Sequence, residues 1–234
     1  MREDICTIPV SEVFEPRDGC PLCRMRDLAE ERALDYVLGA AMMEPDVRQV
    51  TNRLGFCAGH YGKMQGVGKR LPLALMLESH LDELIGAVKA GGLLGPPAKK
   101  AAYRTARLAE TCFVCERMEW GISRMVATIY RLYESESDFR ALFTEQPALC
   151  LPHFTMLVEG SDRHLKSRRL GEFQRDCKRI TLRGLESLRG DISHFCRMFD
   201  YRNNTPDADW GNARDAVERT IGFLSGNAGA IDKK

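Results

Sequence analysis

Several features are scarce in this 234-residue chain. No stretch approaches the roughly 18 uncharged apolar residues of a membrane span, so no membrane role is expected. The start, MREDICTIPVSEVFEPRDG, has no apolar h-region. A secretory signal is therefore not expected, and a cytoplasmic location is. Neither sign of charge dominates: 34 Lys and Arg stand against 33 Asp and Glu, for a net +1. That balance excludes a chain organised as a whole around nucleic acid or an anionic membrane. Period-2 alternation of strand length is also missing; Thr7 to Val10 is the one short extended candidate.

Cysteine is abundant, with nine residues. Nine is odd, and a cytoplasmic chain keeps few disulfides. Two pairs form C-x2-C, at Cys20 and Cys23 and at Cys112 and Cys115. Two more cysteines sit in C-x2-H, at Cys57 and His60 and at Cys150 and His153. The gap from Cys23 to Cys57 is 33 residues, and that from Cys115 to Cys150 is 34. The flanks repeat as well: Met25 and Met118 follow the C-x2-C pairs, and Tyr61 and Phe154 follow the histidines. This is an internal duplication.

The spacing suits a metal. Zinc takes four tetrahedral ligands, and Cys3His is a common structural set. A Cys and a His at i and i+3 share one helical face. Helix N-termini favour thiolate, because the macrodipole is positive there. Two Zn2+ per chain are expected, on Cys20, Cys23, Cys57, His60, Cys112, Cys115, Cys150 and His153. Whether the ligands pair within or between the copies is open at this stage. Buried thiols alone would leave the repeated histidine unexplained. Covalent haem needs C-x-x-C-H, and Arg24 and Glu116 occupy that histidine position. An iron–sulfur cluster remains as the less favoured alternative. Cys177 and Cys196 fall on apolar stripes and read as packing residues; Cys6 is unassigned.

Helical periodicity runs almost throughout. Stripes include Met25, Ala29, Ala33 and Val37; Leu73, Leu77, Leu81, Leu84 and Val88; and Met118, Ile122, Met125, Ile129 and Tyr133. The fold expected is all-α: a duplicated helical module plus a C-terminal helical segment. The modules span 1–92 and 98–160, with Gly91 to Pro97 as linker, and the C-terminal segment spans 161–234. Breaks at Gly66 to Gly68 and Gly160 to Asp162 punctuate the modules, and the tail from Asn227 is expected to fray. Residues 161–190 carry nine Lys and Arg against four Asp and Glu. An exposed helix face explains this basic stretch, roughly 163–189, better than nucleic-acid binding does.

Polar residues also gather before Cys57. Glu44, Asp46, Arg48, Thr51 and Asn52, together with His80, could line a pocket. The competing reading is structural: Glu44-Pro45-Asp46 is a good helix start, and His80 on an apolar stripe is a satisfied buried histidine.

These residues carry a family resemblance. Thr7-Ile8-Pro9-Val10, Cys20-Pro21-Leu22-Cys23, Met43 to Arg48, Thr51-Asn52, Gly55-Phe56-Cys57 with His60, and Leu73 to Leu77 with His80 form one specific set. Cys112, Cys115, Cys150, His153 and Phe199-Asp200-Tyr201-Arg202 complete it. The set resembles an uncharacterised bacterial family, a domain of unknown function with repeated CxxC/CxxH motifs. Some members carry an ABC-transporter substrate-binding label; a signal peptide and a lipoprotein cysteine are not expected here, which argues against that role. The resemblance implies no established activity.

The functional expectation is a cytoplasmic, zinc-stabilised binding or regulatory protein with a protein or small-molecule partner. One alternative is a metal-dependent enzyme using Glu44, Asp46, Arg48 and His80. Another is a thiol-based redox or metal sensor.

Overall fold

A computed structural model describes residues 10–89, 97–200, 202–203, 205 and 208–226. Among them there are helices and no strands. Thr7 to Pro9, Cys6, the linker from Gly91 to Pro96, and the tail from Asn227 lie outside the described residues. Val10, the last residue of the extended candidate, opens a helix instead.

The helices in chain order are α1 (Val10–Phe14), α2 (Pro21–Val37), α3 (Pro45–Leu54), α4 (Ala58–Gly66), α5 (Arg70–Lys89), α6 (Pro97–Glu110), α7 (Phe113–Ser135), α8 (Ser137–Thr144), α9 (Leu151–Ser161), α10 (Ser167–Met198) and α11 (Ala216–Ser225). Pro45 at the first position and Glu44 at the cap start α3 as its sequence suggests, with Asp46 in the first turn. Gly68, at φ 78°, follows the end of α4.

The chain forms two compact units. Among the described residues, one contains those within 1–27 and 122–234, the other those within 28–121. Both boundaries fall inside a helix, in α2 and in α7.

In the first unit, α10 packs on α9 and α11, and α1 packs on α8. Its centre is aromatic. Phe14 meets Phe139 and Phe143 at centroid separations of 5.2 and 5.8 Å. Phe173 meets Tyr133 and Phe143 at 4.9 and 5.2 Å. Edge-on and offset rings each add about 0.5–1.5 kcal/mol beyond the area they bury. The two phenols inside this apolar mass keep polar partners. Tyr130 donates to the Leu157 carbonyl at 2.9 Å, and Tyr133 donates to Asp176 at 2.5 Å.

In the second unit, α5 packs on α3, α4 and α6. Ala29, Ala33, Val37, Met64 and Met76 are almost wholly buried. The stripe on α5 differs from the sequence reading. Leu81 and Val88 are more than half exposed, while Met76 and His80 are the buried residues. Apolar residues occur on every side of this helix, interspersed with Glu78, Asp82 and Glu83, so its periodicity does not single out the inward face.

Candidate metal centres

All four cysteine pairings of the sequence sit at helix starts. Cys20 immediately precedes α2, and Cys23 lies in its first turn. Cys112 and Cys115 stand in the same way to α7. Cys57 and Cys150 are the N-caps of α4 and α9, with closely matched backbone angles of (−73°, 161°) and (−65°, 158°). Extended geometry at the cap turns each sulfur toward the helix end, and the histidine three residues on lies on the same face.

The structure brings the eight residues together in two groups of four. Cys20, Cys23, Cys150 and His153 form one, in the first unit. Cys57, His60, Cys112 and Cys115 form the other, in the second unit. Pairing is therefore between the copies: the C-x2-C of each joins the C-x2-H of the other. Within each group, one ligand atom per residue lies within 4.8 Å of every other, so each could hold a metal ion.

In the first group, His153 Nδ1 is 3.5 Å from Cys20 Sγ, 3.4 Å from Cys23 Sγ and 3.1 Å from Cys150 Sγ. Cys23 and Cys150 sulfurs are 3.6 Å apart. All four residues are buried. Burial pushes the Cys20 thiol up, but hydrogen bonds from Cys150, Cys23 and His153 outweigh it and hold the thiol well below its ordinary value. The same contacts raise Cys23, through Cys150 and Cys20, and push Cys150 up to about 12. One thiolate is thus favoured at the expense of its neighbours. Three together need a cation to offset their repulsion.

In the second group, His60 Nδ1 is 3.2 Å from both Cys57 Sγ and Cys112 Sγ, and 3.4 Å from Cys115 Sγ. Cys57 and Cys115 sulfurs are 3.9 Å apart. Burial raises Cys57, but the His60 backbone N–H and the Cys112 and Cys115 thiols bring it below its ordinary value. Cys115 is pushed up to about 12, first by burial and then by Cys112. This group is less enclosed: Cys57 is half-buried and Cys115 exposed.

The loop before α4 fixes the second group. Gly55 ends α3 at φ 60°, a conformation that favours glycine, and its carbonyl accepts the Phe113 N–H at 3.0 Å. Thr111 donates to the Leu54 carbonyl at 2.7 Å. These two bonds tie the corner carrying Cys57 to the start of α7. Phe56 packs edge-on against Tyr61 and Phe113.

Glu30 is a residue the sequence reading missed. Its Oε1 accepts from His60 Nε2 at 3.0 Å, and its other oxygen pairs with Lys63. Desolvation raises the Glu30 carboxyl, and Lys63 and then His60 more than reverse this, leaving it below its ordinary value. A carboxylate on the outer nitrogen fixes the tautomer and ring orientation of a metal-binding histidine. The matching position in the second copy is Ile122, so local sequence offered no repeat to reveal Glu30.

Of the polar residues before Cys57, Arg48 and Asn52 join α3 to α5. Arg48 donates to the Leu75 carbonyl at 2.8 Å, and His80 Nδ1 donates to the Asn52 carbonyl at 2.8 Å. Ser79 donates to the Asn52 side chain at 2.9 Å, and buried Thr51 donates to the Arg48 carbonyl at 3.1 Å. Glu44 and Asp46 are exposed at the start of α3. Among the leftover thiols, Cys177 is buried as expected. Cys196 is not a packing residue; it is exposed near the end of α10. Its neighbours Phe195 and Phe199 pair instead with Trp210, which draws the apolar stripe away from it.

A family model described as a family of unknown function (DUF6062) matches residues 1–231. The chain belongs to this family. No curated protein and no solved structure matches it. Among the described residues, the eight ligand-type side chains in two groups of four are the groups that could hold metal ions. Among the described residues, no helix is long and apolar enough to cross a membrane.

Proposed function

We propose that this protein is a zinc-stabilised binding or regulatory protein in which two Cys3His zinc ions secure the helix starts. One observation carries the reading. A tetrahedral ion with bonds of about 2.3 Å to sulfur and about 2.0–2.1 Å to nitrogen has edges of about 3.8 Å between sulfurs and about 3.6 Å from sulfur to nitrogen. Separations of 3.6 Å for the Cys23–Cys150 sulfurs and 3.9 Å for the Cys57–Cys115 sulfurs, sulfur–nitrogen separations of 3.1–3.5 Å, and no pair beyond 4.8 Å come near the edges of a mononuclear site. A multi-iron cluster spreads its four ligands around several atoms and needs wider spacing.

Four protein ligands per ion favour a structural role, since a catalytic zinc keeps one position for water. The use of Arg48, Asn52 and His80 in joining α3 to α5 also counts against the enzyme alternative. Six thiolates require reduced cysteine, which suits the cytoplasm. The favoured partner is a protein or small molecule. Nucleic acid is less favoured, because Arg169 and Arg179 on the basic stretch are already paired with Glu172 and Asp176.

Elemental analysis of protein purified without oxygen tests the metal assignment. Two zinc ions per colourless chain are expected. Iron with sulfide in a brown protein would replace zinc with a cluster, and a metal-free folded chain would overturn the reading.

A further inference from the structure

We propose that the Cys57–His60–Cys112–Cys115 centre is an oxidation site for peroxide, at which Cys57 and Cys115 join in a disulfide and Zn2+ is released. The inference rests on the zinc reading and adds a difference between the two centres. In the first centre, Cys20, Cys23, Cys150 and His153 are 1%, 0%, 0% and 6% exposed. An oxidant reaches those sulfurs only after that part of the structure opens. In the second, Cys112 and His60 are buried, whereas Cys115 is exposed and Cys57 half-buried.

The two accessible sulfurs are also a suitable pair. They lie 3.9 Å apart, on the N-cap of α4 and in the first turn of α7. Closing to a bond of about 2.05 Å requires each to move by about 1 Å. Oxidation susceptibility follows thiolate character and exposure, and a metal-bound cysteine is already a thiolate.

The chemistry balances with hydrogen peroxide as the oxidant. Cys115 thiolate attacks one peroxide oxygen, breaks the O–O bond and leaves a sulfenic acid and hydroxide. Cys57 thiolate then attacks that sulfur, forms the S–S bond and expels a second hydroxide. Two protons from solvent convert both hydroxides to water. The cysteines together lose two electrons, and the zinc keeps its charge. With two of its four ligands consumed, only His60 and Cys112 remain. The new bond still links α4 to α7, so the centre changes without separating the helices it joined.

The test uses the full chain, purified with its zinc and with Cys6→Ser and Cys196→Ser, which remove the thiol outside the described residues and the one exposed thiol outside the centres among the described residues. Hydrogen peroxide is added with a zinc-binding dye, and disulfides are mapped by peptide mass spectrometry. One zinc of two should be released with a Cys57–Cys115 disulfide. Release of the other should be at least about tenfold slower, because it awaits opening of a buried site. Reductant plus zinc should restore the starting state. Equal release from both centres, a first disulfide between Cys23 and Cys150, or no release from a chain holding two zinc ions would overturn the inference and leave the zinc reading intact. A chain that holds no zinc at the outset overturns both.

Discussion

Crossed pairing makes a prediction that a within-copy arrangement reverses. Cys23→Ser with Cys150→Ser removes two ligands from one centre and leaves the other whole. Cys23→Ser with Cys57→Ser removes one ligand from each. A structural zinc supplies about 10–16 kcal/mol of apparent binding free energy. That is comparable to the whole stability of a typical domain, about 5–15 kcal/mol. Losing a centre should therefore abolish the stability of its own unit. Loop length hardly separates the two centres. Cys23 and Cys150 are 127 positions apart and His60 and Cys112 are 52 apart. The difference in closure entropy is about 0.8 kcal/mol by the logarithmic law. The assay is zinc content after challenge with a chelator of intermediate affinity, read by elemental analysis, with helix content followed by circular dichroism. The first double variant should keep one chelator-resistant zinc and the second none. A resistant zinc in Cys23→Ser/Cys57→Ser, with none in Cys23→Ser/Cys150→Ser, would refute crossed pairing.

Two further substitutions separate packing from metal binding. His80→Ala leaves the Asn52 carbonyl without its donor and should destabilise the chain by about 1–3 kcal/mol in urea melts. Its zinc content should stay at two per chain under the proposed reading; loss of zinc would mean that His80 supports a centre. Gly184→Ala would place a methyl 2.9 Å from both Ala148 Cβ and Phe223 Cε2. Overpacking of about 1–3 kcal/mol should exceed the helix-propensity gain of about 1 kcal/mol, so the urea midpoint should fall. A raised midpoint would show that α11 yields easily.

The candidate ligands were legible because their signal is local. Two residues at i and i+3 beside a helix start mean the same thing in any fold, and the order repeats along the chain. Glu44-Pro45-Asp46 gave the start of α3 for the same reason. The inward face of α5 was not legible. Leu73, Leu77, Leu81, Leu84 and Val88 look equivalent in sequence, yet Leu81 and Val88 face outward. Neighbouring helices choose the buried side of a helix with apolar residues on every side. Cys196 failed in the same way, because membership of a stripe does not say whether anything covers it. Glu30 carried no sequence signal at all: its role depends on lying beside His60, thirty positions later.

Residue types and spacing alone pointed to a helical chain and to eight Cys and His residues as candidate ligands; the structure placed their motifs at helix starts. Both follow from interactions within a few residues, which every copy of the motif repeats. Packing decided which pairs meet. The two C-x2-C elements are chemically equivalent, as are the two C-x2-H elements, so spacing cannot choose between partners within a copy and across copies. Packing also made the centres unequal. It sealed Cys20, Cys23 and Cys150 inside one unit, left Cys115 exposed in the other, and set Glu30 against His60 where the second copy has Ile122.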